Sequence, residues 1–153
     1  MIMIKNKMAL AKMREAGSRL ARVMQDVAEL IQPGVTAAWL DAEVETRMHR
    51  LGLTPACKGF MGYKHATCIS LNEIVVHGVP SAQAVLKSGD CVAVDMVGIY
   101  QGYHADMART FIVPGAKPAT EVVRLIAVAQ ASLDAAKAVM KPGVRLRTVS
   151  REI

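Results

Sequence analysis

The chain has 153 residues, of which 52% are hydrophobic and 21% are charged, and its formal net charge is +6. This length suits a single domain with a real core, and the composition excludes a disordered chain. The longest segment without a charged residue, Ile74 to Leu86, is too short and irregular for a membrane span, so no membrane association is expected. The N-terminus lacks the apolar core of a secretory signal, and three cysteines without CxxC spacing indicate reduced thiols and a cytoplasmic location.

Two amphipathic helices are predicted at the beginning of the chain. Apolar residues recur at three- and four-residue spacing from Met8 to Ile31, and Pro33-Gly34 stops this first helix. Thr36 is the expected N-cap of the second helix, which ends near Gly52.

The first predicted helix is basic. Residues 1–22 contain six basic side chains and a single acidic one, Glu15. The basic residues are Lys5, Lys7, Lys12, Arg14, Arg19 and Arg22. A solvated helix face is the favoured interpretation, because no aromatic residues interleave with these charges. Attraction of RNA or another polyanion is the alternative.

Strands and loops are predicted from residue 53 onwards, and two of the strands carry a pair of aspartates. If Gln101-Gly102 is a two-residue hairpin loop, Val97 faces Asp106. Asp95 then lies two places along the same face, and the carboxylates are diagonal neighbours with backbones about 7–8 Å apart. Two divalent cations about 3.5–4 Å apart fit between such carboxylates, although two carboxylates are too few ligands for tight binding. The register therefore predicts a metal site.

A long helix is predicted after the hairpin, with Thr120 as its cap and Pro142-Gly143 as its end. It runs into Met140-Lys-Pro-Gly-Val144, just as the first helix runs into Ile31-Gln-Pro-Gly-Val35, 109 residues earlier. The match predicts a duplicated unit, with a first repeat over about residues 8–118 and a second that begins at about residue 119. A common helix stop that occurs twice by chance is the alternative.

Four segments around the hairpin form one specific combination. They are Cys68-Ile-Ser-Leu-Asn-Glu-Ile-Val-Val-His77-Gly-Val-Pro80, Lys87-Ser-Gly-Asp90 with the strand ending at Asp95, Gly102-Tyr-His-Ala-Asp106 through Val113, and Lys141-Pro-Gly-Val144. Together they resemble the type I methionine aminopeptidases, metallo-exopeptidases of the pita-bread fold. The resemblance covers nearly the whole chain. It implies an α/β (α+β) fold in which residues 1–153 form one incomplete domain: the first of two pseudo-symmetric helix–sheet halves and the start of the second.

The resemblance also implies a role for each matched residue. Asp95 would chelate one of two divalent metal ions (Co, Mn, Fe or Zn), and Asp106 would bridge both. His77 would contact the substrate peptide group and stabilise the transition state. The pocket for the methionine side chain would be lined by Cys57, Phe60, Tyr63 and Cys68, because sulfur and aromatic edges suit a thioether. Without the resemblance, a strand-end histidine explains His77 equally well, and core residues are the favoured interpretation of the four pocket residues.

The remaining histidines are given no metal role. His104 shares the face of Asp106, but the family usually has a histidine there that does not bind metal. His49 and His65 are expected at the surface, on a helix and in a loop. The chain departs from the common family pattern at Met61-Gly-Tyr63-Lys-His65, which changes one pocket wall, and at Val97, where a threonine is common.

The implied reaction is removal of the N-terminal methionine from nascent proteins by metal-activated water. In the family, a histidine and two glutamates from the second half complete the metal centre, and these 153 residues contain no His-Gly-Ile-Gly or Glu-Pro motif. We therefore expect half of a dinuclear centre, metals held weakly and little activity from this chain alone. A separately encoded second half, or self-association through exposed apolar surface, would supply a partner. The alternatives are a non-catalytic protein whose basic helix lies near the ribosome, and a proline-dipeptidase-like peptidase of the same fold.

Overall fold

The computed structural model of the protein describes residues 3–153; Met1 and Ile2, part of the basic N-terminal stretch in the sequence analysis, lie outside the described residues. The elements in chain order are α1 (Lys7–Leu30), α2 (Ala37–Arg50), β1 (Thr54–Pro55), a 3-10 turn (Phe60–Gly62), β2 (Thr67–Leu71), β3 (Cys91–Tyr100), β4 (Tyr103–Ile112), α3 (Thr120–Val139) and α4 (Leu146–Glu152). They divide into two compact units, the first ending at Ala116 and the second spanning Lys117–Ile153.

The first two helices begin at side-chain caps. Asn6 accepts a hydrogen bond from the Ala9 amide at 2.9 Å and so starts α1. Thr36, the predicted N-cap of α2, accepts from the Trp39 amide at 3.2 Å through its hydroxyl oxygen. Each cap satisfies an amide at the helix start that has no partner within the helix. Both helices therefore form where the sequence predicts them.

Strand β3 is the centre of an antiparallel sheet. Strand β4 pairs with it along its whole length, and β1 and β2 follow one another along its other edge. Gln101 and Gly102 join β3 to β4 with φ values of 47° and 80°, the left-handed conformations that a two-residue hairpin turn requires. The predicted register is confirmed, since Tyr100 pairs with Tyr103 and Val97 with Asp106.

The two faces of the sheet have different environments. Val92, Val94 and Met96 are fully buried in a core that α1 and α2 also build, through residues such as Leu20 and Leu40. The intervening residues of β3 are only half-buried. Because side chains alternate along a strand, Asp95 and Val97 lie on the face turned away from these helices. We call this the open face.

Gly98 is a point of close approach between the sheet and the core side chains of the helices. A Cβ atom at this position would lie 3.2 Å from a methyl carbon of Leu20, 3.2 Å from one of Leu53 and 3.3 Å from that of Met48. The missing side chain lets the end of β3 pack directly against the side chains of α1 and α2. Core side chains are therefore in direct contact with the strand that carries Asp95.

The second unit consists of α3 and α4. Ala119 is the N-cap of α3 and makes no side-chain cap bond, so the prediction that Thr120 caps this helix is wrong; Thr120 is its first residue. Ala136 of α3 is buried, whereas Leu125 and Leu133 are exposed. The Ser132 hydroxyl donates to the carbonyl of Ile153 at 3.1 Å. Among residues 3–153, the helices are all too short or too polar to cross a membrane.

Candidate metal and substrate site

The two aspartates of the hairpin lie on the open face. Asp106 pairs directly with Val97 across β3 and β4, and Asp95 pairs with Ala108. The carboxylates are therefore diagonal neighbours on one surface, the arrangement in which long side chains meet across two strands. Asp95 is half-buried and Asp106 is exposed, so a ligand reaches both from solvent.

The electrostatics of the pair favour a cation. Partial burial raises the pKa of Asp95 above its usual value, the negative charge of Asp106 raises it further, and His77 opposes both effects. A divalent cation between the carboxylates removes this repulsion, and carboxylate oxygen is a ligand that such ions accept. The donor set therefore fits divalent metal. Within residues 3–153, no third His, Cys, Asp or Glu side chain joins the pair to form a three-ligand cluster.

His77 lies in the loop between β2 and β3. Its side chain is exposed, and its backbone has a φ of 57°, a conformation that residues with a Cβ atom rarely adopt. It is close enough to Asp95 to affect the pKa of that carboxyl. His77 therefore lies in the neighbourhood of Asp95.

Three of the four predicted pocket residues also gather beside the aspartates. Cys68 lies directly opposite Asp95 in the pairing of β2 with β3. The hydroxyl of Tyr63 donates to the Thr67 carbonyl at 2.8 Å and lies 3.7 Å from the sulfur of Cys68. Cys57 follows Ala56, whose amide donates to the carbonyl of Val97 at 2.8 Å.

The titration of these groups reflects the same neighbourhood. Burial raises the pKa of the Cys57 thiol, and the nearby Cys68, Asp95 and Asp106 raise it further. Burial also raises the pKa of Tyr63, and its contact with Cys68 adds to the effect. Tyr63 is therefore a neutral hydrogen-bond donor at physiological pH, and Cys57 a neutral thiol. Phe60, the fourth predicted pocket residue, is 69% exposed in the 3-10 turn, and the structure does not bring its side chain together with the other three.

His65 is less exposed than expected, because it has a partner. Its side chain is 28% exposed, and its Nδ1 lies 3.2 Å from a carboxylate oxygen of Asp41 on α2. The His65 ring also meets the Tyr63 ring edge-on at 5.5 Å. By contrast, His49 is exposed on α2 beside Glu45, and His104 is exposed on β4 opposite Ile99.

Asp41 is a site-supporting residue that the sequence analysis missed. It is only 6% exposed, and one of its oxygens accepts hydrogen bonds from the amides of Ala66 and Thr67 and from the Thr67 hydroxyl, at 2.7–3.1 Å. These bonds fix the start of β2, directly after the loop that carries Tyr63. The sequence does contain a hint of this role. Asp41 is an acidic residue directly after Leu40, within the apolar face of α2.

Comparison with known proteins places these features in a family. Residues 11–153 match the family described as Metallopeptidase family M24. The methionine aminopeptidase of Salmonella typhimurium is 38% identical over 156 aligned positions, which cover 99% of this chain and 57% of that protein. The chain thus spans little more than half the length of this relative.

Solved structures agree with the sequence relationship. The crystal structure of the methionine aminopeptidase from Thermotoga maritima matches with a TM-score of 0.95 and 40% identity, over 100% of this chain and 61% of that chain. The prolidase from Pyrococcus furiosus, at 22% identity and a TM-score of 0.85 over 97% of this chain and 42% of that one, shares the fold alone.

These matches confirm the predicted fold class, a mixed helix–sheet half of the pita-bread architecture. They also confirm the resemblance to the N-terminal portion of methionine aminopeptidases. A metallopeptidase acts through bound metal, and facing carboxylates on the open face are suitable ligands for divalent ions. The chain belongs to metallopeptidase family M24.

Proposed function

We propose that this chain provides half of the active site of an aminopeptidase that removes N-terminal methionine from newly made proteins. The observation that carries the proposal is the convergence of Asp95, Asp106 and His77 with the thiol of Cys68 on the open face. Relatives named methionine aminopeptidases match nearly all of this chain, which supports the same assignment.

Two divalent metal ions, of Co, Mn, Fe or Zn, are the proposed cofactors. Asp95 would hold one of them and Asp106 both. When bound, such a pair supplies an activated water and polarises the scissile carbonyl. Two carboxylates are too few for a tight site, so the remaining ligands would come from outside these 153 residues or from a partner. The relatives have additional chain that could supply them, since the match covers 57% of the Salmonella protein.

The other residues of the site would bind and orient the peptide. His77 is proposed to donate a hydrogen bond to the peptide group and to the oxygen that gains charge in the transition state. Cys57, Tyr63 and Cys68 would hold the methionine side chain, since a thioether packs well against sulfur and aromatic edges. Phe60 would cover the outer side of that side chain from the rim.

A second, smaller set of proposals concerns context. The second repeat would begin at about residue 119, which the change of compact unit at Lys117 supports. The protein would work in the cytoplasm, which its free cysteines Cys57, Cys68 and Cys91 support. Exposed Lys7 and Arg14 on α1 would bring it close to ribosomal RNA.

A partner that covers apolar surface is also proposed, either a second half or another copy of the chain. Ile74, Val75, Val76 and Val79 of the loop around His77 are exposed, as is Leu125 on α3. The four loop residues are neighbours in sequence, and adjoining exposed apolar side chains of this kind mark interaction sites. Self-association in sedimentation experiments would support this; a monomer that persists at high concentration would contradict the second-copy form.

A proline-specific dipeptidase is the competing function, because the Pyrococcus prolidase has the same fold. The neighbourhood of Cys57, Tyr63 and Cys68 favours methionine over that alternative, because two sulfur atoms and a half-buried phenol suit a long apolar thioether. Competition between Met-Ala-Ser and a Xaa-Pro dipeptide distinguishes the two functions. Preferential cleavage of the Xaa-Pro dipeptide would show that the chain belongs to a proline-specific dipeptidase and would refute the methionine assignment.

Metal binding provides the decisive test of the proposed site. Calorimetric titration with Mn²⁺ should show binding to the wild-type chain and at least tenfold weaker binding to Asp95→Asn and Asp106→Asn. Asp26→Asn, an exposed carboxylate on α1, is the matched control and should leave binding unchanged. Slow release of methionine from Met-Ala-Ser with added Mn²⁺ or Co²⁺ should disappear in the same two variants. Equal Mn²⁺ affinity in wild type and Asp106→Asn would refute the assignment.

A further inference from the structure

We propose that Ser70 is a positioning residue that holds His77 at the open face through the backbone of Gly78. This proposal rests on the proposed function, because His77 matters only if it acts beside the metal site. Three features of the structure support it: the exposure of the loop, the way in which its end is attached, and the place of the attachment on β2.

The loop that carries His77 is exposed almost throughout. Every residue from Asn72 to His77 is exposed, and burial begins only at Gly78. The side chain of Asn72 attaches only the start of the loop, through bonds to Asp90 and to the Cys91 amide at 3.1 and 3.0 Å, five residues before His77. The attachment immediately after His77 is made by the main chain of Gly78.

Gly78 is attached to two adjacent residues of β2. Its amide donates to the hydroxyl oxygen of Ser70 at 3.0 Å, and its carbonyl accepts from the Ile69 amide at 2.8 Å. Ser70 is only 5% exposed, so the bond to its hydroxyl is shielded from competing water. One side chain thus holds one of the two bonds at the end of the loop.

The contact between Gly78 and β2 leaves no room for a side chain. A Cβ atom on Gly78 would lie 2.2 Å from the carbonyl oxygen of Ile69 and 2.8 Å from the Cα of Ser70. This close approach brings the loop flat against the strand edge and leaves His77 in its left-handed conformation, at φ 57°. Such a conformation persists only where surrounding contacts determine it.

The attachment lies on the same strand and face as the proposed site. Ser70 pairs with Ala93 and Cys68 pairs with Asp95, so the two β2 side chains point to the open face two residues apart. Their separation is about 7 Å at the usual strand rise. Ser70 therefore fixes His77 relative to the strand that borders Asp95.

Loss of the Ser70 hydroxyl should release His77 without dissolving the metal site. Ser70→Ala leaves the amide of Gly78 without its partner and removes one of the two bonds that maintain the strained turn. Asp95 and Asp106 stay in place, because their positions depend on the pairing of β3 with β4. The effect should thus appear at His77 and not at the carboxylates.

Paramagnetic relaxation by Mn²⁺ measures this difference directly in the whole chain. The protein has four histidines, and the Cε1 proton of each is resolved by NMR after ¹³C labelling. Mn²⁺ at the aspartates should broaden His77 and also His104, which is fixed on β4 two residues from Asp106. In Ser70→Ala the relaxation rate at His77 should fall at least threefold while that at His104 stays unchanged. In Ser70→Thr, which keeps the hydroxyl, the relaxation rate at His77 should equal that of the wild type. Ser18→Ala, on the exposed side of α1, should leave the rate at His77 unchanged.

The result that overturns the proposal is equal broadening of His77 in wild type and Ser70→Ala. If Ser70→Ala does not fold, Ser70→Cys keeps the size and weakens the acceptor, and an unchanged His77 rate there is equally decisive. Absence of Mn²⁺ broadening in the wild type would instead remove the proposed function. In that case hydrogen exchange of the Gly78 amide decides the attachment: exchange at least tenfold faster in the variant supports it, and an unchanged rate refutes it.

Discussion

Cys68 on β2 lies directly opposite Asp95 on β3, so a thiol and a carboxylate are nearest neighbours on the open face. Side chains at directly opposed positions of an antiparallel pair have Cβ atoms about 4.5–5.5 Å apart. A ligand of Asp95 therefore lies in the neighbourhood of the Cys68 sulfur. This neighbourhood connects the electrostatics of the proposed metal site to those of the proposed methionine pocket.

Repulsion between the two carboxylates should make the metal-free wild type less stable than a variant that carries only one of the two charges. Asp95→Asn removes one of two repelling charges and should raise the melting temperature in EDTA by a few degrees at most, since solvent screens a half-exposed group. It should also abolish stabilisation by Mn²⁺. Calorimetry of both proteins, with Asp26→Asn as control, measures the two effects. A lower melting temperature for Asp95→Asn in EDTA would contradict the repulsion.

The same pair predicts a pH dependence of stability. The pKa of Asp95 is raised in the folded chain, so the folded state binds a proton that the unfolded state releases first. The free energy of unfolding of the metal-free wild type should therefore fall, relative to Asp95→Asn, as pH rises from the unfolded pKa through the folded one. Below the unfolded pKa this charge-dependent difference disappears. Urea unfolding of both proteins at several pH values measures this difference. If the stability advantage of Asp95→Asn over the wild type shrinks as pH rises, the prediction is wrong.

Cys57 should report the charge of the site through its reactivity. Burial is the main reason for its raised pKa, and the negative charges of Asp95 and Asp106 contribute. Only the thiolate is alkylated rapidly, so Asp95→Asn should accelerate alkylation of Cys57 by iodoacetamide at pH 8. Peptide mass spectrometry measures the rate at each cysteine. Cys91, whose pKa is raised by burial alone, is the internal control and should react at an unchanged rate.

Asp41 should be important for stability although it lies outside the site. Asp41→Ala removes the acceptor for the amides of Ala66 and Thr67, and each buried polar group left without a partner costs about 1–3 kcal/mol. We expect a loss of roughly 3 kcal/mol in the free energy of unfolding, measured in urea. Thr67→Val deletes only the hydroxyl donor and should cost about 1 kcal/mol. Equal losses in the two variants would show that the backbone bonds contribute nothing.

Two glycine substitutions should change stability in opposite directions. Gly98→Ala inserts a methyl group 3.2–3.3 Å from three core side chains and should cost about 1–3 kcal/mol. Gly17→Ala lies in α1 with nothing within 4 Å of the new Cβ atom and should gain about 1 kcal/mol of helix propensity. Thermal or urea unfolding tests both. A stabilised Gly98→Ala would mean that the helices move aside easily.

Features determined by neighbouring residues could be predicted from the sequence. A two-residue turn at Gln101-Gly102 is a local preference of the backbone, and it determined that Val97 opposes Asp106. The cap at Thr36 is equally local. Both predictions are confirmed.

Features that depend on distant partners could not be predicted. His65 was expected at the surface because it lies in a loop, yet its ring has a partner in Asp41, which is 24 residues away on α2. The attachment of Gly78 to Ser70 depends in the same way on a loop that folds back onto β2. Local pattern determines which face a side chain takes, whereas the partner on that face depends on tertiary packing.

The two-residue turn has a consequence for any attempt to redesign the open face. One residue more in β4 between Gly102 and Asp106 would carry Asp106 to the other face of the strand, beneath α1, unless the extra residue bulged out of the ladder. The separation of the two carboxylates therefore depends on the number of residues between Asp95 and Asp106 as well as on the aspartates themselves. Engineering a larger or smaller cation site would require a bulge in β3 or β4, with the turn left untouched.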